Sequence, residues 1–206
     1  YSSAASDVYK RQAVFIANGL DIPILYISTA GIFDGKQDTY DDWDLPNPLG
    51  HYARSKYAGE LFVQNNAVKY LICRAGWMMG VGPNKDKKFF NKIMNQIKNN
   101  VKELNIVSDK LGTPTLTYDF AENTKFLLEK ELWGLYNMVS GGITGRLEVC
   151  KEILSILNLE KGIKIKIIGK INRFPKILKS KLKKVEKISK INTKIQVNMA
   201  LNYGSR

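Results

Sequence analysis

The sequence predicts an α/β protein built on a parallel, doubly wound sheet. Three observations lead there: apolar runs of strand length, amphipathic stretches of ten or more residues between them, and polar Gly- and Pro-bearing connections at the joins. Strands separated by helices of that length are joined by crossovers, and crossovers pair strands in parallel.

In order along the chain, residues 1–12 (YSSAASDVYKRQ) show no apolar periodicity and join abruptly to the apolar segment at Ala13, so they read as a non-native leader outside the fold. Residues 13–19 suit the end of an apolar helix closed by Asn18-Gly19 as a C-cap. Residues 24–29 form an apolar run between Pro23 and Ala30-Gly31 and predict a buried strand. Residues 34–50 are a polar loop whose turn formers are Asp34-Gly35, Pro46, Pro48 and Gly50. A helix is predicted over 51–66 and a second buried strand over 70–75, followed by a glycine-rich turn over 76–82. Then come an amphipathic helix over 88–100, a strand over 104–107, a turn over 109–114 and a helix over 119–130. A strand over 135–139, a helix over 147–157 and an alternating strand over 163–168 complete the pattern, leaving a basic tail over 171–206.

Composition bounds the function. The net charge of +13 divides into +1 over residues 1–150 and +12 over residues 151–206. Nearly all the excess is lysine, whereas arginine is the residue suited to bidentate phosphate and base contacts. The charge therefore reads mainly as composition and not as a nucleic-acid interface. In the tail, Ile177, Leu178, Leu182, Val185 and Ile188 recur every three or four residues among lysines. That spacing suits either a terminal helix with a solvated lysine face or a basic segment lying on an anionic surface. No stretch approaches the ~18 apolar residues of a membrane span, and no basic-then-apolar signal peptide begins the chain. Cys73 and Cys150 form no CxxC, sit among apolar neighbours and read as buried reduced thiols, which points to the cytoplasm; no metal-ligand spacing is present.

One constellation carries chemistry. Tyr52 and Lys56 are four residues apart on the predicted helix, so phenol and ammonium share a face. A free tyrosine, with a pKa of ~10, is a poor acid at neutral pH, and a neighbouring cation favours the phenolate. Ser28-Thr29 closes a strand just before this helix, and Cys73-Arg74-Ala75-Gly76-Trp77 closes the next strand just after it. A hydroxyl at a strand's carboxyl end faces the crevice of an α/β sheet.

The ordered set then resembles a family. Leu25 to Thr29, Ile32-Phe33-Asp34-Gly35, the Pro46/Pro48 loop, Tyr52-x-x-x-Lys56 with Gly59-Glu60, and Arg74 to Trp77 stand in the order of extended short-chain dehydrogenases. Val107-Ser108-Asp109, Gly112-Thr113-Pro114-Thr115 and Asp119-Phe120-Ala121 narrow the likeness to the dTDP-4-dehydrorhamnose reductase group. The resemblance implies a partial Rossmann-like sheet lacking its N-terminal strands. Residues 13–82 would be the C-terminal half of the NAD(P)-binding domain, and residues 83–170 a small substrate-binding region interleaved with late Rossmann elements. It implies an NADPH- or NADH-dependent reduction of a 4-keto-deoxy nucleotide sugar, and a homodimer at full length. Tyr52 would donate the proton to the ketone oxygen, Lys56 would assist it and hold the cofactor ribose, and Thr29 would orient the carbonyl. Ala30 and Trp77 would lie against substrate. Arg74 would either steady the diphosphate or pair with a neighbouring carboxylate. His51 reads as a surface residue. Two other functions share the fold: a non-catalytic nucleotide-sugar-binding or regulatory protein, and an epimerase or dehydratase.

The chain departs from the family pattern twice. Ala30-Gly31 stand where the rhamnose enzymes usually have Asp-Tyr, so a substrate-gripping carboxylate is absent. Further, no glycine-rich strand–turn–helix precedes Thr29, although such a turn lies on the order of 80 residues upstream in the family at roughly 30 per βα unit. The chain reads as an N-terminally truncated fragment with residues 24–29 as an exposed sheet edge. Weak NADPH binding and little turnover are expected of these 206 residues. A fluorescence titration that returned micromolar affinity would overturn that expectation.

Overall fold

The computed structural model describes residues 2–80, 89–168 and 198–200. The basic tail over 171–206 lies outside the described residues apart from a three-residue strand. Contacts divide the chain into two compact units, one made of 1–80 with 114–141 and the other of 81–113 with 142–206.

The first unit is an α/β sandwich. Its helix α1 (Ser2–Gly19) leads to strand β1 (Ile24–Thr29), a 3-10 turn (Ala30–Ile32), helix α2 (His51–Asn66), strand β2 (Tyr70–Ala75) and strand β3 (Trp77–Met79). After the second unit's first segment, which holds α3 (Phe89–Lys98), β4 (Glu103–Val107) and β5 (Leu111–Gly112), the chain returns as β6 (Pro114–Leu116), α4 (Thr117–Glu129) and β7 (Gly134–Met138). The main sheet has the order β1-β2-β7, all parallel, with Ile24 opposite Tyr70 and Leu71 opposite Gly134. Strand alternation then assigns the faces. Tyr26 and Ile72 pack with Val14 of α1 and Val63 of α2, whereas Leu71, Cys73 and Ala75 pack with Phe120 of α4. Helices cover both faces, which is the doubly wound arrangement. Leu71 and Ile72 are fully buried, and each contributes about 1.5–3 kcal/mol of transfer free energy.

Strand β1 is half-buried, not buried throughout: Tyr26 and Ser28 face α2, while Leu25 and Ile27 are exposed. Only β2 pairs with it among the described residues. Helix α1 begins at Ser2, well before the predicted start at residue 13, and its side chains Val14 and Ala17 are buried.

The second unit contains α3 (Phe89–Lys98), β4 (Glu103–Val107), β5 (Leu111–Gly112), β8 (Thr144–Gly145), α5 (Arg146–Ile156), β9 (Lys164–Ile168) and β10 (Asn198–Ala200). Parallel β4, β9 and β10 form its sheet, β9 in the middle. Leu104, Ile106, Ile165 and Ile167 alternate inward against Leu147, Cys150 and Leu154 of α5 and Ile93 of α3.

Helix ends share one pattern that the sequence hides. Asp21, Asn100, Glu131 and Asn158 have positive φ, and each lies two residues beyond the last residue of α1, α3, α4 or α5. The next amide in each case donates back along the helix, from Ile22 to Ala17, Val101 to Gln96, Leu132 to Leu127 and Leu159 to Leu154. These are Schellman closures with an apolar residue after the left-handed position. The predicted Asn18-Gly19 cap is therefore displaced: Asp21 takes the left-handed conformation, and Asn18 instead bonds the Asn66 carbonyl and the Val68 amide. Glutamate at φ 53° is strained, so Glu131→Gly should raise the unfolding free energy by about 0.5–1 kcal/mol, measured by urea titration.

Candidate active site

The segment 34–50 that feeds α2 is held in shape by Asp34. Its carboxylate accepts from Tyr40 Oη (2.7 Å), the Lys36 amide (3.1 Å) and Asn47 Nδ2 (3.0 Å). These bonds, led by that of Tyr40, hold the Asp34 carboxyl below the usual carboxylate range. Phe33 stacks on Tyr40 with ring centroids 4.4 Å apart.

Beneath that segment lies Arg74 of β2, 3 % exposed. Its Nε and Nη2 donate to the fully buried carboxylate of Glu60 on α2, the shortest contact being 2.9 Å. Its Nη1 reaches the Asp42 carbonyl and Asn137 Oδ1, both at 3.4 Å, and the guanidinium carbon stands 5.2 Å from the Phe33 ring centroid. The Asn137 amide in turn donates to the Asp42 carboxylate. Of the two roles open to Arg74 in the sequence, the geometry shows the carboxylate pair.

Helix α2 has no side-chain cap; it starts from Gly50, whose carbonyl accepts the Arg54 amide at 2.9 Å. It packs along β1 and the 3-10 turn. Tyr52, in its first turn, is 68 % exposed. Lys56, a turn later, is half-buried; its ammonium donates to the Ile27 carbonyl and stands 4.6 Å from the Tyr26 ring centroid. Burial, then the nearby Lys10 ammonium, lowers the Lys56 pKa, with Glu60 opposing. Thr29 ends β1 and caps the 3-10 turn, its Oγ1 accepting the Gly31 amide at 3.1 Å. A hydroxyl that accepts one bond keeps its own proton to donate. Ala30 opens the turn, partly buried. Thr29, Ala30, Tyr52 and Lys56 thus come from the adjoining ends of β1 and α2. Trp77, partly buried, begins β3, whose preceding Gly76 amide donates to Thr115 Oγ1 at 3.2 Å. His51 is exposed at the start of α2.

An open cleft of about 490 Å³ lies elsewhere, where β7 meets α4, with Thr115, Asp119, Asn123 and Asn137 in its wall. None of Thr29, Tyr52 and Lys56 lines it. Cys73 and Cys150 are free and buried, and burial pushes both thiols up to about 11. No cluster of metal-ligating side chains and no helix long and apolar enough to cross a membrane occurs among the described residues.

Sequence reasoning missed the roles of Glu60, Asp42 and Tyr26. The signal for Glu60 was present: a lone arginine inside the apolar run Leu71 to Ala75 requires a buried partner, and Glu60 is an acidic residue on the adjoining helix.

A parallel sheet covered by helices on both faces, with a Tyr-x-x-x-Lys helix lying over a strand that ends in Ser-Thr, defines the class as a short-chain dehydrogenase/reductase-like α/β domain. Comparison supplies the family. The model of the RmlD substrate binding domain matches residues 10–194, and the chain belongs to that family. A dTDP-4-dehydrorhamnose reductase of Sinorhizobium fredii is 29% identical over 160 residues, which is 73% of this chain and 52% of the relative. The crystal structure of the Yersinia enterocolitica dTDP-4-dehydrorhamnose reductase superposes with a TM-score of 0.73 at 33% identity, covering 81% of this chain and 57% of that one. The Bacillus anthracis reductase in complex with NADP gives 0.72 at 28% identity, covering 79% and 56%. The chain spans about half the length of the curated relatives it matches.

Removing one member of the Arg74–Glu60 pair leaves a buried charge uncompensated. Arg74→Met should cost about 3–5 kcal/mol of stability by urea unfolding, and adding Glu60→Leu should recover most of it.

Proposed function

We propose that this chain carries the proton-donating and substrate-facing residues of an NAD(P)H-dependent reductase acting on a 4-keto-deoxy nucleotide sugar of the dTDP-4-dehydrorhamnose type. The observation that carries the reading is the seating of Lys56 against β1 one helical turn from an exposed Tyr52, at the strand end that bears Thr29. Membership of the RmlD substrate binding domain family supports it, as does the NADP bound to the B. anthracis relative.

The residues present fit the reactive end of a nicotinamide cofactor. Lys56 has one donor on the Ile27 carbonyl and three in all, so it retains capacity for a ribose hydroxyl. No glycine-rich turn for the pyrophosphate occurs in this sequence. When bound, NADPH or NADH supplies the hydride for the ketone carbon. The chain's own residues manage the oxygen. Thr29, its hydroxyl aligned by the Gly31 amide, donates to the carbonyl oxygen and polarises it. Tyr52 delivers the proton that turns that oxygen into an alcohol, and the Lys56 cation stabilises the phenolate left behind. Arg74 acts at a distance, as a positioning residue for the loop and helix that present Tyr52. Trp77 and the short side chain of Ala30 form the proposed sugar contacts. The same reading puts the protein in the cytoplasm as a homodimer at full length, with a nucleotide sugar and not a nucleic acid as its phosphate-bearing ligand.

The test uses millimolar NADPH with dTDP-4-dehydrorhamnose and measures nucleotide-sugar product by chromatography. Product formation is expected to be slow and to fall ~10²–10⁴-fold in Tyr52→Phe. A rate that Tyr52→Phe leaves unchanged would remove the reading.

A further inference from the structure

Lys56 is attached to β1 through two adjacent residues. Its ammonium donates to the Ile27 carbonyl and lies over the ring of Tyr26, 4.6 Å from the centroid. The same phenol reaches back: Tyr26 Oη donates to the main-chain carbonyl of Lys56 at 3.0 Å. The ring therefore supports the side chain while its hydroxyl holds the backbone from which that side chain springs. Tyr26 is only 9 % exposed, and its bond to the Lys56 carbonyl is partly buried.

Room for this phenol comes from Gly59, three residues after Lys56. A Cβ at Gly59 would stand 2.2 Å from Tyr26 Oη and 2.7 Å from Cζ. Gly59 lies inside α2, and no unusual φ calls for glycine there. A mid-helix glycine weakens the helix, and here it is explained by the close approach of an aromatic ring. The charges facing Lys56 are Lys10 of α1, which also donates to the Ser55 carbonyl, and Glu60 of α2, which is committed to Arg74. Burial and Lys10 disfavour the Lys56 cation, while an aromatic face attracts it.

We infer that Tyr26, seated in the slot left by Gly59, is a positioning residue that holds the Lys56 ammonium in place for the reaction at Tyr52. This rests on the roles proposed above for Tyr52 and Lys56. Leucine would keep the site apolar but would supply neither the π face nor the hydroxyl. Gly59 serves as the second half of the device, because any side chain there ejects the phenol.

The test has one arm that needs no turnover. In the full chain labelled with ¹³C-lysine, the Lys56 ε-methylene signal is assigned with Lys56→Arg. Its protons should lie upfield of those of exposed lysines because the nitrogen bonded to that carbon stands 4.6 Å from the ring centroid. They should move downfield in Tyr26→Leu and Gly59→Ala, and stay upfield in Tyr26→Phe. An unshifted Lys56 signal in the parent chain overturns the inference, whether or not any variant folds. The second arm is the Tyr52-dependent reductase rate. Tyr26→Leu should lower kcat ~10-fold with little change in KM, and Tyr26→Phe should restore it to within about threefold. Equal losses in Leu and Phe, or none in Leu, overturn the positioning role. A parent chain with an upfield Lys56 signal but no Tyr52-dependent turnover overturns the function on which the inference rests, and the two failures are told apart.

Discussion

A cation buried in a parallel sheet constrains everything packed around it. Arg74 sits in β2 among apolar residues, on the face covered by α2, and desolvating its guanidinium is tolerable only if every donor direction is answered. Glu60 answers one side from α2, and Asp42 and Asn137 answer the other from the loop and from β7. Three separate pieces of chain are thereby referred to one group. A helix docked one turn out of place would bury a carboxylate and a guanidinium apart from each other, which the fold cannot bear. The pair thus selects one placement of α2, whatever its net contribution to stability.

That placement decides where chemistry is possible. Tyr52, Lys56 and Glu60 succeed one another at four-residue steps, a nearly straight stripe along the helix. Burial increases along it: Tyr52 is 68 % exposed, Lys56 is half-buried and Glu60 is fully buried. The stripe begins at the sheet's carboxyl edge and ends over its interior. An exposed phenol, a partly desolvated amine and an anchored carboxylate are therefore consequences of one helix descending over one strand. The end that meets solvent can exchange protons, and the end that does not keeps the geometry.

Much of this was legible from periodicity. The strands Ile24–Thr29 and Tyr70–Ala75 and the helix His51–Asn66 come directly from apolar runs and four-residue spacing. The Tyr/Lys pair came from the helical period. The hidden features depend on partners distant in sequence. Strand β3 is three residues long inside a segment that reads as a glycine turn, and it exists because β6 lies alongside; β5 and β8 likewise support each other as two-residue strands. Helix ends were hidden for another reason. Aspartate and glutamate occupy left-handed positions where a sequence reader looks for glycine, and apolar Ile22 and Leu132 secure them. Gly59 has a reason of the same distant kind, the phenol of Tyr26, far earlier in the chain.

On the proposed reading, proton chemistry and sugar choice sit on different supports. The Tyr52–Lys56 stripe is fixed by the Arg74–Glu60 pair deep in the sheet and by the Tyr26 ring beside it. Residue 30 belongs to a three-residue 3-10 turn. That turn is held by the Gly31 amide on Thr29 Oγ1 and by the Phe33 amide on the Ala30 carbonyl, and neither bond uses the side chain of residue 30. A change of side chain at that position therefore alters what the turn can grip and leaves the Thr29 hydroxyl aligned. A scaffold arranged in this way can change its substrate by substitution at the turn while its acid–base pair stays where the buried ion pair has put it.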